Sequence, residues 1–226
     1  MSFFKAQHNG QVAYQGVASP LVAFLAPASR QAEEFRSLRT NIEFVGSSLA
    51  KFHSILVTSA EVGDGKSTVA ANLAATWAKA GKQVLLIDAD LRHPNLDKTF
   101  YLDNHGGLTT SIAGLKVNGK YDALKMTFVD NLSVITSGPL PPNPVELLES
   151  KKMSQLLAWA EDNYDMVIID SPALDEATDA QILASKVDGV AMVVKMNKTA
   201  RKSIERALAN LKLSGARILG VVERTE

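Results

Sequence analysis

Apolar residues arrive along this chain in short unbroken runs. Ser54-Ile55-Leu56-Val57-Thr58, Gln83-Val84-Leu85-Leu86-Ile87-Asp88, Leu132-Ser133-Val134-Ile135-Thr136, Met166-Val167-Ile168-Ile169-Asp170, Gly189 to Val194 and Ile218-Leu219-Gly220-Val221-Val222 are rich in β-branched side chains. Runs without polar alternation predict strands buried on both faces, the pattern of a parallel sheet. Between them the period lengthens to that of helices. Ser29 reads as an N-cap for a helix through Val45, with Phe35, Leu38, Ile42 and Val45 on one stripe. Further helical runs open at Val69 and end at Gly81, and lie near 150–162, at Thr178 to Ser185 and over 199–213. Strands alternating with helices predict a mostly parallel sheet covered on both faces, a three-layer αβα domain.

The remaining stretches are less periodic. Residues 91–130, punctuated by Pro94, Gly106-Gly107, Gly114 and Gly119, read as irregular with short helices near 108–113 and 121–126. Gly138 to Pro144 is a proline-rich loop. Residues 1–28, with Gly10, Gly16, Pro20 and Pro27, read as a loosely structured arm draped on a single domain of residues 29–226.

Composition narrows the chemistry by exclusion. The sequence has no cysteine, which removes disulfides, thiol catalysis and cysteine zinc sites. Its 24 basic and 24 acidic residues cancel, so nothing points to a nucleic-acid binder. Met1-Ser2-Phe3-Phe4-Lys5 lacks the order of a signal peptide, and no apolar run approaches the ~20 residues of a membrane span. A cytoplasmic protein is expected, with any membrane association supplied by a partner.

The sharpest local signal follows the first strand. Ser59-Ala60-Glu61-Val62-Gly63-Asp64-Gly65-Lys66-Ser67-Thr68 joins that strand to a helix. Glycines there let backbone N–H groups turn inward around an anion, and the helix aims its positive end at the same point. Lys66 adds charge for the β- and γ-phosphates, and the Ser67 hydroxyl suits Mg²⁺. Ala60 stands where the first glycine of the usual motif would be. Glu61, Val62, Gly63, Asp64, Gly65, Lys66, Ser67 and Thr68 are thus the expected nucleotide-binding positions.

Two further strands end in acids. Asp88 and Asp90 lie two apart, and the period of a strand points them to one side. Asp170 ends another apolar run. In open parallel sheets ligands sit beyond the carboxyl ends of the strands, beside the phosphate loop. Clustered carboxylates repel one another unless a cation joins them, and Mg²⁺ prefers such oxygen ligands while keeping some of its waters. Ser67 and Asp170 are the expected metal shell, Asp90 a further contact, and Asp88 is left for chemistry.

These motifs together resemble the bacterial tyrosine kinases that regulate capsular and exopolysaccharide synthesis. The likeness runs from about Glu33 onward. It covers the Walker A loop at 60–67, the aspartate-bearing motif Leu85 to Arg92, the Walker B strand ending Asp170-Ser171-Pro172, and Thr178-Asp179-Ala180. Phe35-Arg36-Ser37-Leu38-Arg39-Thr40-Asn41 and Pro142-Asn143-Pro144-Val145-Glu146-Leu147-Leu148 match as well. The resemblance implies a P-loop NTPase fold, ATP with Mg²⁺, and tyrosine-containing protein substrates. It implies catalytic roles for Asp88, Lys66 and Asp90, with Asp88 receiving the proton of the tyrosine hydroxyl. It also implies a transmembrane polysaccharide co-polymerase-type adaptor, and a homo-oligomer formed through Glu33, Arg36 and Arg39; the alternative for those three residues is a solvated helix face.

Two departures from the family pattern stand out. Val62 replaces a proline. The family's tyrosine-rich tail has no counterpart in Val221-Val222-Glu223-Arg224-Thr225-Glu226, and the tyrosines are Tyr14, Tyr101, Tyr121 and Tyr164. Truncation, action on other proteins and loss of the autokinase cycle all fit that ending. Tyr164 is expected to be packed and Tyr14 to be accessible. Two rival readings stand beside the kinase: a non-catalytic nucleotide switch, and a deviant-Walker positioning ATPase. The second expects a lysine where this chain has Glu61.

Overall fold

The computed structural model describes residues 6–8, 11–13, 21–114, 116–117, 120–121 and 123–225. All six apolar runs enter one sheet. Two short strands, β1 (Ala6–His8) and β2 (Gln11–Ala13), pair with each other near the N-terminus. A helical turn α1 (Val22–Leu25) and helix α2 (Arg30–Gly46) precede β3 (Ser54–Ser59), α3 (Lys66–Lys79) and β4 (Val84–Asp88). Then come α4 (Leu96–Phe100), α5 (Leu108–Ala113), β5 (Lys116–Val117), β6 (Lys120–Tyr121), β7 (Leu124–Met126) and β8 (Leu132–Ile135). The chain continues through α6 (Pro144–Glu149), α7 (Lys151–Asn163), β9 (Met166–Asp170), α8 (Asp179–Ala184), β10 (Gly189–Lys195), α9 (Arg201–Leu213) and β11 (Ile218–Arg224).

The main sheet has the order β11-β10-β3-β9-β4-β8-β7, parallel throughout except for the β7–β8 pair. Strand β9, late in sequence, lies between β3 and β4. Both faces are dry. Leu85, Ile87, Val167 and Ile169 pack with Leu156, Ala160 and Leu211 on one side. Val84, Leu86, Ile55 and Ile168 meet Leu73 and Trp77 of α3 on the other. Each such aliphatic side chain contributes ~1.5–3 kcal/mol on burial. That explains why the central strands carry no polar alternation.

Helix α2 begins where its cap predicts: the Ser29 hydroxyl accepts from the Ala32 N–H at 3.2 Å. Residues 21–28, read as the end of the arm, are docked on α3. Leu21 is fully buried, Ala23 N–H donates to Asn72 Oδ1 at 2.8 Å, and the Lys79 ammonium lies 4.9 Å from the centre of the Phe24 ring. Tyr14 lies outside the described residues. Tyr164 is half-buried, edge-on to Trp159 at 6.0 Å.

The stretch 91–130 corrects the sequence reading. Where a helix is expected at 121–126, Leu124–Met126 is instead an edge strand antiparallel to β8. The Lys125 ammonium is threaded inward to Asp103, the Gly106 carbonyl and Thr136 Oγ1, a non-local anchor that overrides local preference. Helix α4 is missed because its cap is also non-local: Asp88 Oδ2 accepts from Leu96 N–H at 3.1 Å, eight residues downstream. Helix α6 is missed too, although Pro144 stands at its first turn, where proline is favoured.

Candidate active site

The loop between β3 and α3 is shaped by its own hydrogen bonds. Gly63 and Gly65 take φ of 87° and 92°, which side chains rarely adopt. Gly65 is the N-cap of α3 and offers no side chain, so no side-chain oxygen covers the first-turn N–H groups. Asp64 is fully buried, and its Oδ2 accepts from Glu61 N–H at 3.0 Å, which closes the loop on itself. Its Oδ1 accepts from the Thr199 hydroxyl at 2.7 Å, which ties the loop to the β10–α9 turn.

Glu61 and Val62 face away from an inward nest. The Glu61 carboxylate accepts from Ala200 N–H at 3.1 Å, at the N-terminus of α9. The Ser203 hydroxyl and that N–H hold its pKa below the ordinary range. Val62 is exposed. Lys66, Ser67 and Thr68 form the first turn of α3 and are half-buried.

Sheet order brings the acids to the same rim. Asp88 and Asp170 are register partners on β4 and β9, and β9 is next to the loop's own strand. Lys66 Nζ lies 2.7 Å from Asp90 Oδ2. Burial pulls the Lys66 ammonium down, but Asp170, Asp90 and Asp88 outweigh it and the net shift is upward.

The three aspartates have different surroundings. Asp88 is wholly buried; its Oδ1 accepts from Asp90 N–H at 3.2 Å, and its Oδ2 from Asn95 N–H at 3.2 Å and Leu96 N–H. Burial, with Asp170 and Asp90 nearby, pushes its pKa well above the usual carboxylate value despite those donors. Asp90 Oδ1 accepts from His93 N–H at 2.9 Å. Asp170 is buried with neither carboxylate oxygen hydrogen-bonded at good geometry. Burial raises it to about 7, although Lys66 and the adjacent Ser67 hydroxyl pull the other way.

An orphaned, buried carboxylate beside a hydroxyl is a donor set that suits a hard divalent cation. Among the described residues no three carboxylate or imidazole side chains form a ready-made cage.

One contact links motifs that the sequence leaves separate. Arg92 grips Asp179 through Nε at 3.2 Å and Nη2 at 3.1 Å, with Asp179 fully buried at the start of α8. This bidentate pair fixes the segment after β4. Both residues lie in conspicuous motifs, but only the fold shows their pairing. Glu33 and Arg36, by contrast, lie in the first two turns of α2 and pair with each other at 2.5 Å. Arg39 donates to the Thr76 carbonyl at 3.2 Å. A groove of about 490 Å³ lies at the opposite, amino end of the strands, between Phe52, Trp77, Lys82 and Met166, away from the glycine loop and the aspartates.

Residues 51–225 match the ParA family, described as NUBPL iron-transfer P-loop NTPase. The chain is 43% identical to tyrosine-protein kinase YwqD of Bacillus subtilis over 202 residues, 89% of this chain and 84% of that one. The solved kinase domain of Escherichia coli tyrosine kinase ETK superposes with a TM-score of 0.85 at 31% identity, covering 93% of this chain and 82% of that one. The septum site-determining protein MinD of Pyrococcus horikoshii, solved with Mg-ADP, is more distant. It has a TM-score of 0.63 at 25% identity, over 76% and 69% of the two chains.

Proposed function

The chain belongs to the bacterial tyrosine-protein kinases, within the P-loop NTPases, and on that premise we propose that it transfers the γ-phosphoryl group of ATP to a tyrosine hydroxyl of a protein, in the control of capsular or exopolysaccharide synthesis. The observation that carries the reading is the Lys66–Asp90 ion pair at a rim shared by Asp88, Asp170 and the glycine loop. The loop amides and Lys66 bind and orient the phosphate chain. Asp90 holds Lys66 in place until phosphate replaces it as the partner. Ser67 and Asp170 would hold Mg²⁺, with Asp90 a further contact; when bound, the ion supplies positive charge against the β- and γ-phosphates.

Asp88 is the proton acceptor in this reading. An ordinary carboxylate of pKa ~4 is a poor base for a phenol of pKa ~10. Burial raises the pKa of Asp88 in the cation-free site, which narrows that gap, and a bound cation pulls the other way. Three N–H donors occupy its oxygens, which leaves a lone pair of the roughly four that a carboxylate offers. A loose transition state asks for the proton late, so orientation counts for more than basicity.

We also propose, from the likeness to these kinases, a transmembrane adaptor and through it a cytoplasmic place at the membrane. No helix among the described residues is long and apolar enough to cross a bilayer. The test is incubation with γ-labelled ATP, Mg²⁺ and a tyrosine-rich acceptor. Label on phosphotyrosine is expected, and Lys66→Met should lower its rate by ~10²–10³, as loss of a preorganised electrostatic contact does. Released phosphate without phosphotyrosine, or full transfer by Lys66→Met, refutes the assignment.

A further inference from the structure

The phosphate loop has a second neighbour that the motifs do not name. Arg224 ends β11, in register with Lys195, and its carbonyl accepts from Met196 N–H at 2.9 Å. Its side chain reaches back over the loop. A Cβ placed on Gly65 would lie 1.9 Å from Arg224 Nη1, 2.9 Å from Cζ and 3.0 Å from Cδ. The guanidinium therefore rests on the glycine that precedes Lys66. Beside it, Lys198 Nζ lies 3.2 Å from the same position on Gly63.

These cations differ from the others at the rim. Lys66 has Asp90 and Arg92 has Asp179. Among the described residues, neither Arg224 nor Lys198 forms an ion pair; Glu61 feels the charge of Lys198 but spends its carboxylate on Ala200 N–H and the Ser203 hydroxyl. Arg224 also sits at the positive end of α3, where a cation is disfavoured. An anion held between the guanidinium, Lys198 and the helix N-terminus turns that repulsion into attraction. The side of the loop matters too: β9 and β4 carry the acids on one flank of β3, and β10 and β11 lie on the other.

We propose that Arg224 is a phosphate-contacting residue of the nucleotide site, gripping the phosphate chain from the β11 side at the end nearer the nucleoside. This rests on the nucleotide reading above. Thr199 holds the turn in place: it accepts from Lys195 N–H at 2.8 Å and donates to Asp64, so that loop and turn keep one register.

The experiment is equilibrium binding of MgADP, MgATP and inorganic tripolyphosphate to the wild-type chain, Arg224→Gln and Arg224→Lys. Thermal melts of the nucleotide-free proteins serve as the folding check. A charge-assisted contact predicts ~10–100-fold weaker ADP and ATP binding for Arg224→Gln, a smaller loss for Arg224→Lys, and a parallel loss for tripolyphosphate. Unchanged or tighter ADP binding by Arg224→Gln overturns the inference. So does weakened ATP with unchanged tripolyphosphate, which moves the contact to the base. Failure of the wild-type chain to bind any nucleotide overturns the nucleotide reading itself, a result separable from the other two.

Discussion

Replacing Asp170 with Asn should stabilise the metal-free protein while abolishing its activity. The carboxylate is fully buried, without a good hydrogen-bond donor, and its pKa stands at about 7 against an ordinary 3.8. At ~1.4 kcal/mol per pKa unit, that difference sets an upper bound of about 4 kcal/mol on the cost of ionising it in the fold. The Asn amide brings hydrogens of its own to satisfy, so a net gain of ~1–3 kcal/mol is expected. For a chain of this size that corresponds to roughly 2–10 °C in Tm. The sign with pH is fixed. A carboxyl whose folded pKa is raised costs nothing below 3.8, costs more as pH rises from there to about 7, and costs a constant amount above. Thermal melts in EDTA at pH 8 should therefore show the Asn variant melting higher, with the gap closing towards pH 4. Adding MgATP should raise the wild-type Tm and leave the variant nearly unmoved. A variant that melts lower than wild type in EDTA at pH 8, or that gains equally from MgATP, refutes the view of Asp170 as a charge waiting for its cation.

Two other substitutions separate assembly and stability from the site. If α2 mediates an oligomer, Arg36→Ala should shift sedimentation to the monomer while costing under about 0.5 kcal/mol, because its pair with Glu33 is exposed. An unchanged profile removes that interface. Arg36 is the better probe: its bond to the Pro27 carbonyl at 3.0 Å is exposed, whereas the bond of Arg39 to the Thr76 carbonyl of α3 is partly buried. Asp188→Ala should cost ~2–4 kcal/mol, because one carboxylate oxygen accepts from His53 N–H at 2.7 Å, Ser54 N–H at 3.0 Å and the Ser54 hydroxyl at 3.3 Å. Activity at low temperature should survive, and a melt within a degree of wild type would show those bonds to be dispensable.

The sheet was legible because its strands are buried on both faces. Val84 to Asp88 and Met166 to Asp170 have no choice but to be central, and their terminal acids then fall at the rim of the loop. Strand order was not legible. That β9 inserts between β3 and β4 follows from pairing across most of the chain, and this insertion makes Asp88 and Asp170 neighbours. Helix α4 and strand β7 were missed because each is fixed by a tertiary partner, Asp88 and Thr136, whereas α6 was missed although Pro144 is a local cue. The turn of Glu61 towards α9 likewise depends on a partner distant in sequence, Ala200. Local periodicity carries no trace of such partners. Glu61 is instructive, since the sequence identified it by the lysine it is not. The fold gives it a positive task, capping α9 where a lysine would be repelled by the helix dipole.

The distribution of charge around the loop carries the argument one step further. On the β9–β4 side three aspartates face one lysine, and Arg92 contributes no relief because Asp179 has claimed it. On the β10–β11 side Lys198 and Arg224 form no ion pair among the described residues, and Glu61, the acid that feels the charge of Lys198, is taken up by the N-terminus of α9. A bare phosphate would suit the second flank and be repelled by the first; a bare divalent ion would do the reverse. A ligand that is cationic at one end of a phosphate chain and anionic along the rest satisfies both at once, and a metal–nucleoside triphosphate has that polarity. The same logic orders binding. Without the metal, the terminal phosphate meets uncompensated carboxylates, so ATP affinity should depend on Mg²⁺ far more steeply than that of ADP, whose shorter chain reaches less far towards Asp170.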